Sequence, residues 1–272
     1  MTAGEFLGEV TGIAGRWIRK TLRRPPFLFF SLVQPIVWFV LFTQAFSSIS
    51  NIQTPKPGGG FITFADITGT SSYLTFFSAA VIIQTVLASA MQSGVGFVTD
   101  MESGFLDKLK VAPIHRSSIL IGKLLSDGAR ILLQTFVILL LAVALGVGVA
   151  TGAAGLIFLF ALALSFGIAW SGISTFIALA TRNSESTLMI SILTTFPLLF
   201  LSTAVMPKPL LPDWVQTVAV YNPISYIADA LHRLIITGWD WAVIGGAFLV
   251  ILVVGAVTLS ATTAMFRRAV SG

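Results

Sequence analysis

The chain offers few side chains spaced for chemistry. The pair nearest to a phosphate-binding loop is Gly122 with Lys123, but Ser117 stands where that loop needs its first glycine and Leu124 where it needs a hydroxyl. There is no cysteine, and neither of the two histidines belongs to a His-Glu zinc pattern. The sequence therefore predicts no catalytic, nucleotide-binding or metal site of its own, and we expect it not to be an enzyme.

A long apolar tract indicates what surrounds the chain instead. No charged residue and no histidine lies between Arg130 and Arg182. At about 1.5 Å of rise per residue this tract can cross a bilayer twice, and Gly146 and Gly152 favour a hairpin at its middle. Hydrophobic residues make up 56% of the chain and charged ones 10%, with a mean hydropathy of +0.93. These values predict an integral membrane protein.

The apolar pattern predicts a single all-α membrane domain over residues 1–272, with six spanning helices. We place them at residues 27–46, 73–98, 131–149, 156–180, 188–206 and 241–266. None contains a charged residue, since a central one costs about 2.5 to 3.5 kcal/mol. Residues 1–24 combine apolar residues at helical spacing with a basic run, which is typical of an amphipathic helix at the membrane surface.

Two connections are richer than simple loops. Residues 99–127 mix charged and apolar side chains, which suits a short helix that meets another protein or the membrane surface. Residues 207–238 contain two apolar stretches too short to span, and we expect an external helical hairpin there. Asn222 and Pro223 predict the start of its second helix, and Gly238 predicts its end. Asp229 and Arg233 are spaced for a helix ion pair.

Basic residues predict the orientation. With six spans, thirteen of the 16 Lys and Arg residues fall on one side, and Lys56, Lys208 and Arg233 fall opposite. The positive-inside rule therefore places both termini in the cytoplasm and makes this a multi-pass protein of the cell membrane. The net charge of +5 reflects this bias, and we expect no nucleic-acid partner.

Two segments resemble the permeases of ABC-2 type transporters, in particular the daunorubicin-resistance group. The first is ESGFLDKLKVAPIHRSSILIGK, residues Glu102 to Lys123, where an acidic residue and a glycine precede a leucine-rich turn, a proline and Gly-Lys. The second runs from Phe196 to Arg233 and carries Ser and Pro, a Leu-Pro-x-Trp step and Asn-Pro. With the surface helix and six spans, the resemblance covers nearly the whole chain.

The resemblance implies one half of an ATP-driven exporter. Two copies of the permease form the pathway, and each carries a separate ATPase subunit that binds ATP and Mg²⁺ and acts through a coupling helix between spans 2 and 3. Membrane lipids are its other partners. The matching positions place Glu102, Gly104, Leu106, Leu109 and Pro113 in the coupling segment, with Arg16 and Trp17 bracing the ATPase. The alternative for this segment is a solvated loop whose charges only fix the topology.

A lipophilic or amphipathic substrate, drug-like or lipid, fits the resemblance to multidrug-resistance exporters. Candidate path residues are Gln34, Phe39, Gln84, Phe196 and Phe200. The alternatives are that the glutamines make interhelical hydrogen bonds and the aromatic residues face lipid. Pro35 and Pro197 are candidate bends in spans 1 and 5 that would help access to alternate.

Other functions stay open on the sequence. Related permeases export polysaccharides or lipid-linked glycans. An ATP-independent channel or carrier is the alternative from another class, although the predicted spans lack the carboxylates that such proteins use. A third possibility is an assembly or immunity factor that keeps the scaffold without transporting.

Overall fold

The computed structural model describes residues 3–23, 25–51, 53–55, 61–105 and 115–271. It confirms the all-α prediction. The helices are α1 Ala3–Leu22, α2 Pro25–Ala45, α3 Phe64–Thr68, α4 Tyr73–Glu102, α5 Arg116–Ala144, α6 Gly152–Thr181, α7 Ser184–Phe200, α8 Asp213–Tyr221, α9 Pro223–His232 and α10 Trp241–Ser271. A two-stranded antiparallel pair, β1 Gln53–Pro55 and β2 Phe61–Thr63, lies between α2 and α3 and was not predicted.

Four of the described helices are long and apolar enough to cross a membrane, namely Tyr73–Glu102, Ser117–Ala144, Gly152–Thr181 and Trp241–Arg267. Phe29–Ala45 and Ser184–Phe200 are also apolar but shorter than 18 residues. Length and composition therefore support a multi-pass membrane protein.

Helix α4 lies at the centre of the bundle, and most of its residues are buried. It packs against α2, α5, α6, α7 and α9. The approach to α6 is closest at Gly94, where a Cβ atom would overlap the carbonyl oxygen of Ser174. The Ser174 hydroxyl donates to the Met91 carbonyl at 2.8 Å and accepts from the Gly94 backbone N–H at 3.2 Å. A glycine is required here because two helix backbones nearly touch.

Two helix boundaries differ most from the sequence prediction. Helix α5 begins at Arg116 rather than near 131, so residues 116–127 belong to a long helix and not to a connection. The buried charges of Lys123 and Asp127 are tolerated there because the two side chains pair with each other. Helix α7 ends at Phe200 rather than near 206. The Asn222 side-chain amide donates to the Leu198 and Leu201 carbonyls at 2.6 and 2.9 Å, so it satisfies carbonyls at the end of this helix.

The predicted helical hairpin is present as α8 and α9. Asn222 caps α9 by accepting a hydrogen bond from the Ile224 backbone N–H at 2.9 Å, and Pro223 is the first helical residue. A turn of π-helix, Arg233–Thr237, follows, and it ends at Gly238 with φ 108°. The carbonyl oxygens of Leu234 and Ile235 accept hydrogen bonds from the hairpin between α5 and α6.

The predicted pair between Asp229 and Arg233 is wrong. Asp229 Oδ1 accepts a hydrogen bond from the Thr203 hydroxyl at 2.7 Å. Arg233 Nε instead lies 3.6 Å from Asp240 Oδ2. The π turn begins at Arg233, so the side chain leaves the α-helical face on which residues four apart meet.

Candidate functional site

The predicted coupling segment is described at both of its flanks. Helix α4 ends at Glu102, Gly104 adopts φ 66°, and the chain is described as far as Phe105. The description resumes at His115, one residue before α5. Three of the predicted coupling residues lie outside the described residues: Leu106, Leu109 and Pro113.

Glu102 joins the coupling segment to α7. Its Oε2 accepts a hydrogen bond from the Ser184 hydroxyl at 2.9 Å, and its Oε1 accepts one from the Ser184 backbone N–H at 3.2 Å. Ser184 is the first residue of α7, so the carboxylate satisfies a free N–H and lies at the positive end of the helix dipole. A displacement of the end of α4 would therefore reach the start of α7 directly.

Helix α1 contacts both flanks. The Arg16 guanidinium lies 3.1 Å from the centre of the Phe105 ring, a cation–π contact on the first flank. On the second flank, Glu9 Oε2 accepts the His115 backbone N–H at 3.0 Å and lies 3.1 Å from its Nδ1. The backbone hydrogen bond from His115 lowers the pKa of the Glu9 carboxyl. Phe6 packs edge-on against the His115 ring. Helix α1 thus contacts the residues on both sides of the coupling segment.

Trp17 points into the bundle. Its side chain is buried, and the indole N–H donates to Asp100 Oδ2 at 2.5 Å. Lys20 Nζ donates to the other carboxylate oxygen of Asp100 at 2.6 Å. The Trp17 ring belongs to a small apolar cluster with Phe97, Ile119, Leu179 and Phe266. This packing fixes how α1 lies on the bundle, so any role of Trp17 toward a partner would be one of positioning.

A buried ionic cluster lies beside Trp17. Lys123 Nζ donates to both carboxylate oxygens of Asp127 at 2.6 Å. Arg130 Nη2 lies 3.1 Å from Asp127 Oδ1, and the Ser93 hydroxyl donates to Asp127 Oδ2. Arg130 also donates from Nε to the Ser89 hydroxyl at 2.9 Å and from Nη2 to the Ser89 carbonyl at 2.8 Å. The cluster joins α4 to α5.

This cluster was not predicted from the sequence. No ionisable group was expected inside the bundle, and Lys123, Asp127 and Arg130 were expected between spans 2 and 3. That expectation is wrong because Asp127 pairs with both cations and all three side chains are hydrogen-bonded to Ser89 or Ser93, which lowers the cost of burying charge. The signal was present in their spacing, since residues four and three apart share one face of a helix.

Lys20 lines two cavities. The first, here called the inner cavity, has a volume of about 200 Å³ and is lined by Trp17, Lys20, Gln92, Asp100, Lys123 and Arg130, among others. The second, here called the basic groove, has a volume of about 690 Å³ and is lined by Gly12, Gly15, Arg16, Arg19, Lys20 and Arg23, among others. Lys20 thus contributes both to a cavity with buried charged residues and to a strongly basic surface groove.

The aromatic path candidates lie in a cluster between α2, α4 and α7. Phe196 and Phe200 each lie 6.4 Å from Trp38, centre to centre. Phe39 is fully buried on another side of α2, 6.5 Å from Phe77. Phe42 joins the two groups, because it stacks on Trp38 at 4.6 Å and on Phe77 at 5.5 Å. Phe200 remains 42% exposed.

The two glutamine candidates lie apart. Gln34 is exposed on α2, whereas Gln84 is buried within α4. The structure therefore brings together three of the five path candidates and leaves one glutamine at the surface and the other in the core.

A second polar cavity of about 470 Å³ lies near the helical hairpin, lined by Asp66, Phe76, Thr203, Lys208, Asp229 and His232, among others. His232 stacks on Phe76, with 4.2 Å between ring centres, and its Nε2 lies 3.1 Å from the Phe76 carbonyl oxygen. Burial lowers the pKa of His232 to about 4 and raises the pKa of Asp229. In the described part of the chain, no group of three or more His, Asp and Glu side chains could hold a metal ion.

Comparisons with known proteins agree with the resemblance seen in the sequence. Residues 9–236 match the family model described as ABC-2 type transporter. A protein of Cyanophora paradoxa named as transport permease ycf38 is 28% identical over 240 residues, which cover 86% of this chain and 76% of the relative.

Two bacterial relatives extend the comparison. The daunorubicin resistance ABC transporter permease protein DrrB1 of Streptomyces coeruleorubidus is 26% identical over 203 residues, covering 75% of this chain and 66% of the relative. The inner membrane transport permease YhhJ of Escherichia coli is 23% identical over 191 residues, covering 70% and 51%.

Proposed function

Because this chain belongs to the ABC-2 type transporter family, we propose that it is the membrane-spanning subunit of an ATP-driven exporter for a lipophilic or amphipathic compound. The observation that carries the proposal is the match over residues 9–236, which includes both helices that flank the coupling segment. A separate ATPase subunit binds ATP and Mg²⁺, and two permease copies with two ATPase subunits make the complete transporter. The similarity to a daunorubicin resistance permease supports a drug-like or lipid cargo.

In this proposal the chain crosses the cell membrane six times. Helices α2 and α7 complete the four longer spans, with both termini and the coupling segment in the cytoplasm. Helix α2 has 21 residues in all, about the length that a bilayer requires, and α7 with 17 is at the lower limit. The helical hairpin of α8 and α9 is then external.

The described contacts support a coupling route from the ATPase. Movement of the segment bracketed by Phe105 and His115 reaches α7 through the hydrogen bonds between Glu102 and Ser184. It reaches α1 through Arg16 and Glu9. Since α7 carries Phe196 and Phe200, a shift of α7 moves two of the proposed path residues. Leu106, Leu109 and Pro113 supply the proposed ATPase contact itself.

The function is tested by copurifying the chain with its partner ATPase, which we expect a neighbouring gene to encode, and measuring ATP hydrolysis as amphipathic cargo is added. We expect a stable complex whose hydrolysis rises with cargo. In Glu102→Ala the rise should be lost while the ATPase stays bound, because α7 is no longer tied to the coupling segment. Glu185→Ala is the matched control, since Glu185 is an exposed acid next to Ser184. The proposal would be contradicted if the ATPase did not bind, or if its rate of ATP hydrolysis did not change when cargo was added.

A polysaccharide or lipid-linked glycan is the second candidate cargo within the same family. The similarity to a daunorubicin resistance permease favours the lipophilic cargo. An ATP-independent channel or carrier remains the alternative from another class.

A further inference from the structure

We propose that the basic groove and the inner cavity bind the phosphate-bearing headgroup of an anionic phospholipid from the cytoplasmic leaflet. The proposal rests on the proposed function for one point, the orientation that puts α1 on the cytoplasmic side. The site is built by α1 and by the neighbouring ends of α4 and α5, and Lys20 lines both of its parts.

The acidic residues of the inner cavity are already paired with donors of the protein. Both oxygens of Asp100 accept hydrogen bonds, one from Trp17 and one from Lys20. Both oxygens of Asp127 also have partners, namely Lys123, Arg130 and Ser93. The negative charge of each carboxylate is thus offset by a cation of the protein, which weakens its attraction for a cationic ligand.

The cationic residues retain unused donors. Lys20 uses one of its three N–H groups, and the contacts of Arg130 with described residues leave Nη1 free. Arg19 and Arg23 are exposed and pair with no described acid. Arg16, Arg19 and Lys20 lie on α1 and Arg23 directly follows its last residue, so their positive potentials add. The free hydrogen-bonding capacity of the site matches an anion with several acceptor oxygens.

The inner cavity also contains a hydrogen-bond acceptor that has no donor. Gln92, one of its lining residues, has a buried carbonyl oxygen with no hydrogen-bond partner in the described structure. Buried acceptors nearly always have a hydrogen-bond donor, and a hydroxyl or ammonium group next to the phosphate would donate to this oxygen. The glycerol hydroxyls of phosphatidylglycerol and the ammonium of phosphatidylserine are such groups.

A lipid fits better than a free anion because large apolar residues that follow the basic run closely in the chain are exposed. Leu22, next to Arg23, is 56% exposed, and Phe29 and Phe30 on α2 are 64% and 68% exposed. Acyl chains can lie against these side chains while the headgroup reaches the cations. Clusters of four or more Lys and Arg on an amphipathic helix recognise anionic lipids, with about 1 kcal/mol per cation.

The test uses the purified full-length chain in detergent, without ATP or ATPase, titrated with fluorescent phosphatidylglycerol or with phosphatidylcholine carrying the same label. We expect phosphatidylglycerol to bind at least about tenfold more tightly. The double variant Arg19→Gln with Arg23→Gln should weaken its binding by about fivefold per charge removed. Lys20→Gln tests the residue that lines both cavities and should also weaken phosphatidylglycerol binding. If that variant fails to fold, the double variant at the two exposed arginines still tests the proposal.

The matched control is Arg267→Gln, an exposed arginine on α10 next to Phe266, which belongs to the Trp17 cluster. Its binding should equal that of the unaltered chain. Equal affinity for both lipids, equal loss in the control, or full displacement by inorganic phosphate would overturn the proposal. If the double variant keeps its lipid binding but no longer copurifies with the ATPase in the separate test of function, the groove is a protein-docking face instead. Because the assay needs no transport, a negative result leaves the exporter function standing, and failed transport leaves this site standing.

Discussion

Asp127, a buried residue in the first half of α5, has a carboxylate that three donors contact. Lys123, Arg130 and Ser93 all contact it, so its removal leaves two cations in the interior without their shared partner. Removal of Lys123 leaves the carboxylate with Arg130 and Ser93. Loss of the carboxylate should therefore lower the stability of the fold more than loss of either cation.

We expect Asp127→Asn to lower the free energy of unfolding by about 3 to 5 kcal/mol, the usual cost of breaking a buried pair from one side. Lys123→Met should cost less, because the remaining pair persists. Thermal unfolding in detergent measures both, with Asp213→Asn as the control, since Asp213 is exposed on α8. A larger loss in Lys123→Met than in Asp127→Asn would contradict this arrangement.

His232 predicts a loss of stability in mild acid. Its pKa is about 4 in the fold against 6.5 when unfolded, so the unfolded state binds the proton more readily. Stability is therefore complete above pH 6.5 and falls as the pH drops towards 4, by at most roughly 3 kcal/mol. The raised pKa of Asp229 acts in the opposite sense.

Comparison with His232→Gln isolates the contribution of the histidine. Melting temperatures at pH 7.5 and pH 5 should differ more for the unaltered chain than for the variant. Lys208 and Arg233, the cations nearest Asp229, are the same in both proteins. An equal difference in the two proteins would show that His232 is not the group responsible.

At this scale the sequence singled out residues but not their contacts. Glu102, Arg16 and Trp17 were singled out from a family pattern for coupling to an ATPase, and that role stays a prediction. Their contacts within the chain, with Ser184, Phe105 and Asp100, were not predicted. The ionic cluster was missed because a rule that excludes isolated charges from spans says nothing about charges that pair across α4 and α5. Its serine partners are about 30 to 40 positions away in the chain, beyond the reach of any local pattern.

At the scale of elements, the crossing of α4 and α6 sets the shape of the bundle. We expect Gly94→Ala to destabilise the protein by about 1 to 3 kcal/mol, because its methyl group would collide with the Ser174 backbone. Gly96→Ala, two residues further on, meets nothing within 4 Å and should be neutral or slightly stabilising. Melting temperatures in detergent separate the two, and equal effects would refute the close crossing.

Hydropathy predicted the type of the helices well and their ends less well. The hairpin of α8 and α9 followed from Asn222, Pro223 and Gly238, which are local signals. The start of α5 and the end of α7 depend on tertiary contacts, namely the ionic cluster and the Asn222 amide. The strands β1 and β2 are three residues each, too short to give a periodic pattern.

At the scale of the whole molecule, the orientation predicts which residues a reagent can reach. The chain has no cysteine, so Lys208→Cys and Arg267→Cys each introduce a single thiol. In intact cells a membrane-impermeant maleimide should label position 208 only, since the proposed orientation puts that residue outside the cell and residue 267 in the cytoplasm. Both should react after permeabilisation. Labelling of position 267 in intact cells would reverse the topology.

In the proposed exporter, this chain forms the transport pathway and its partner ATPase supplies the free energy of ATP hydrolysis. The most direct measurement is uptake of a fluorescent amphipathic compound into liposomes that contain the chain and its ATPase, with the nucleotide sites facing outward. We predict ATP-dependent uptake with the active ATPase, and none with the chain alone or with an ATPase that lacks its P-loop lysine. Uptake by the chain alone, or uptake that survives inactivation of the ATPase, would contradict the account.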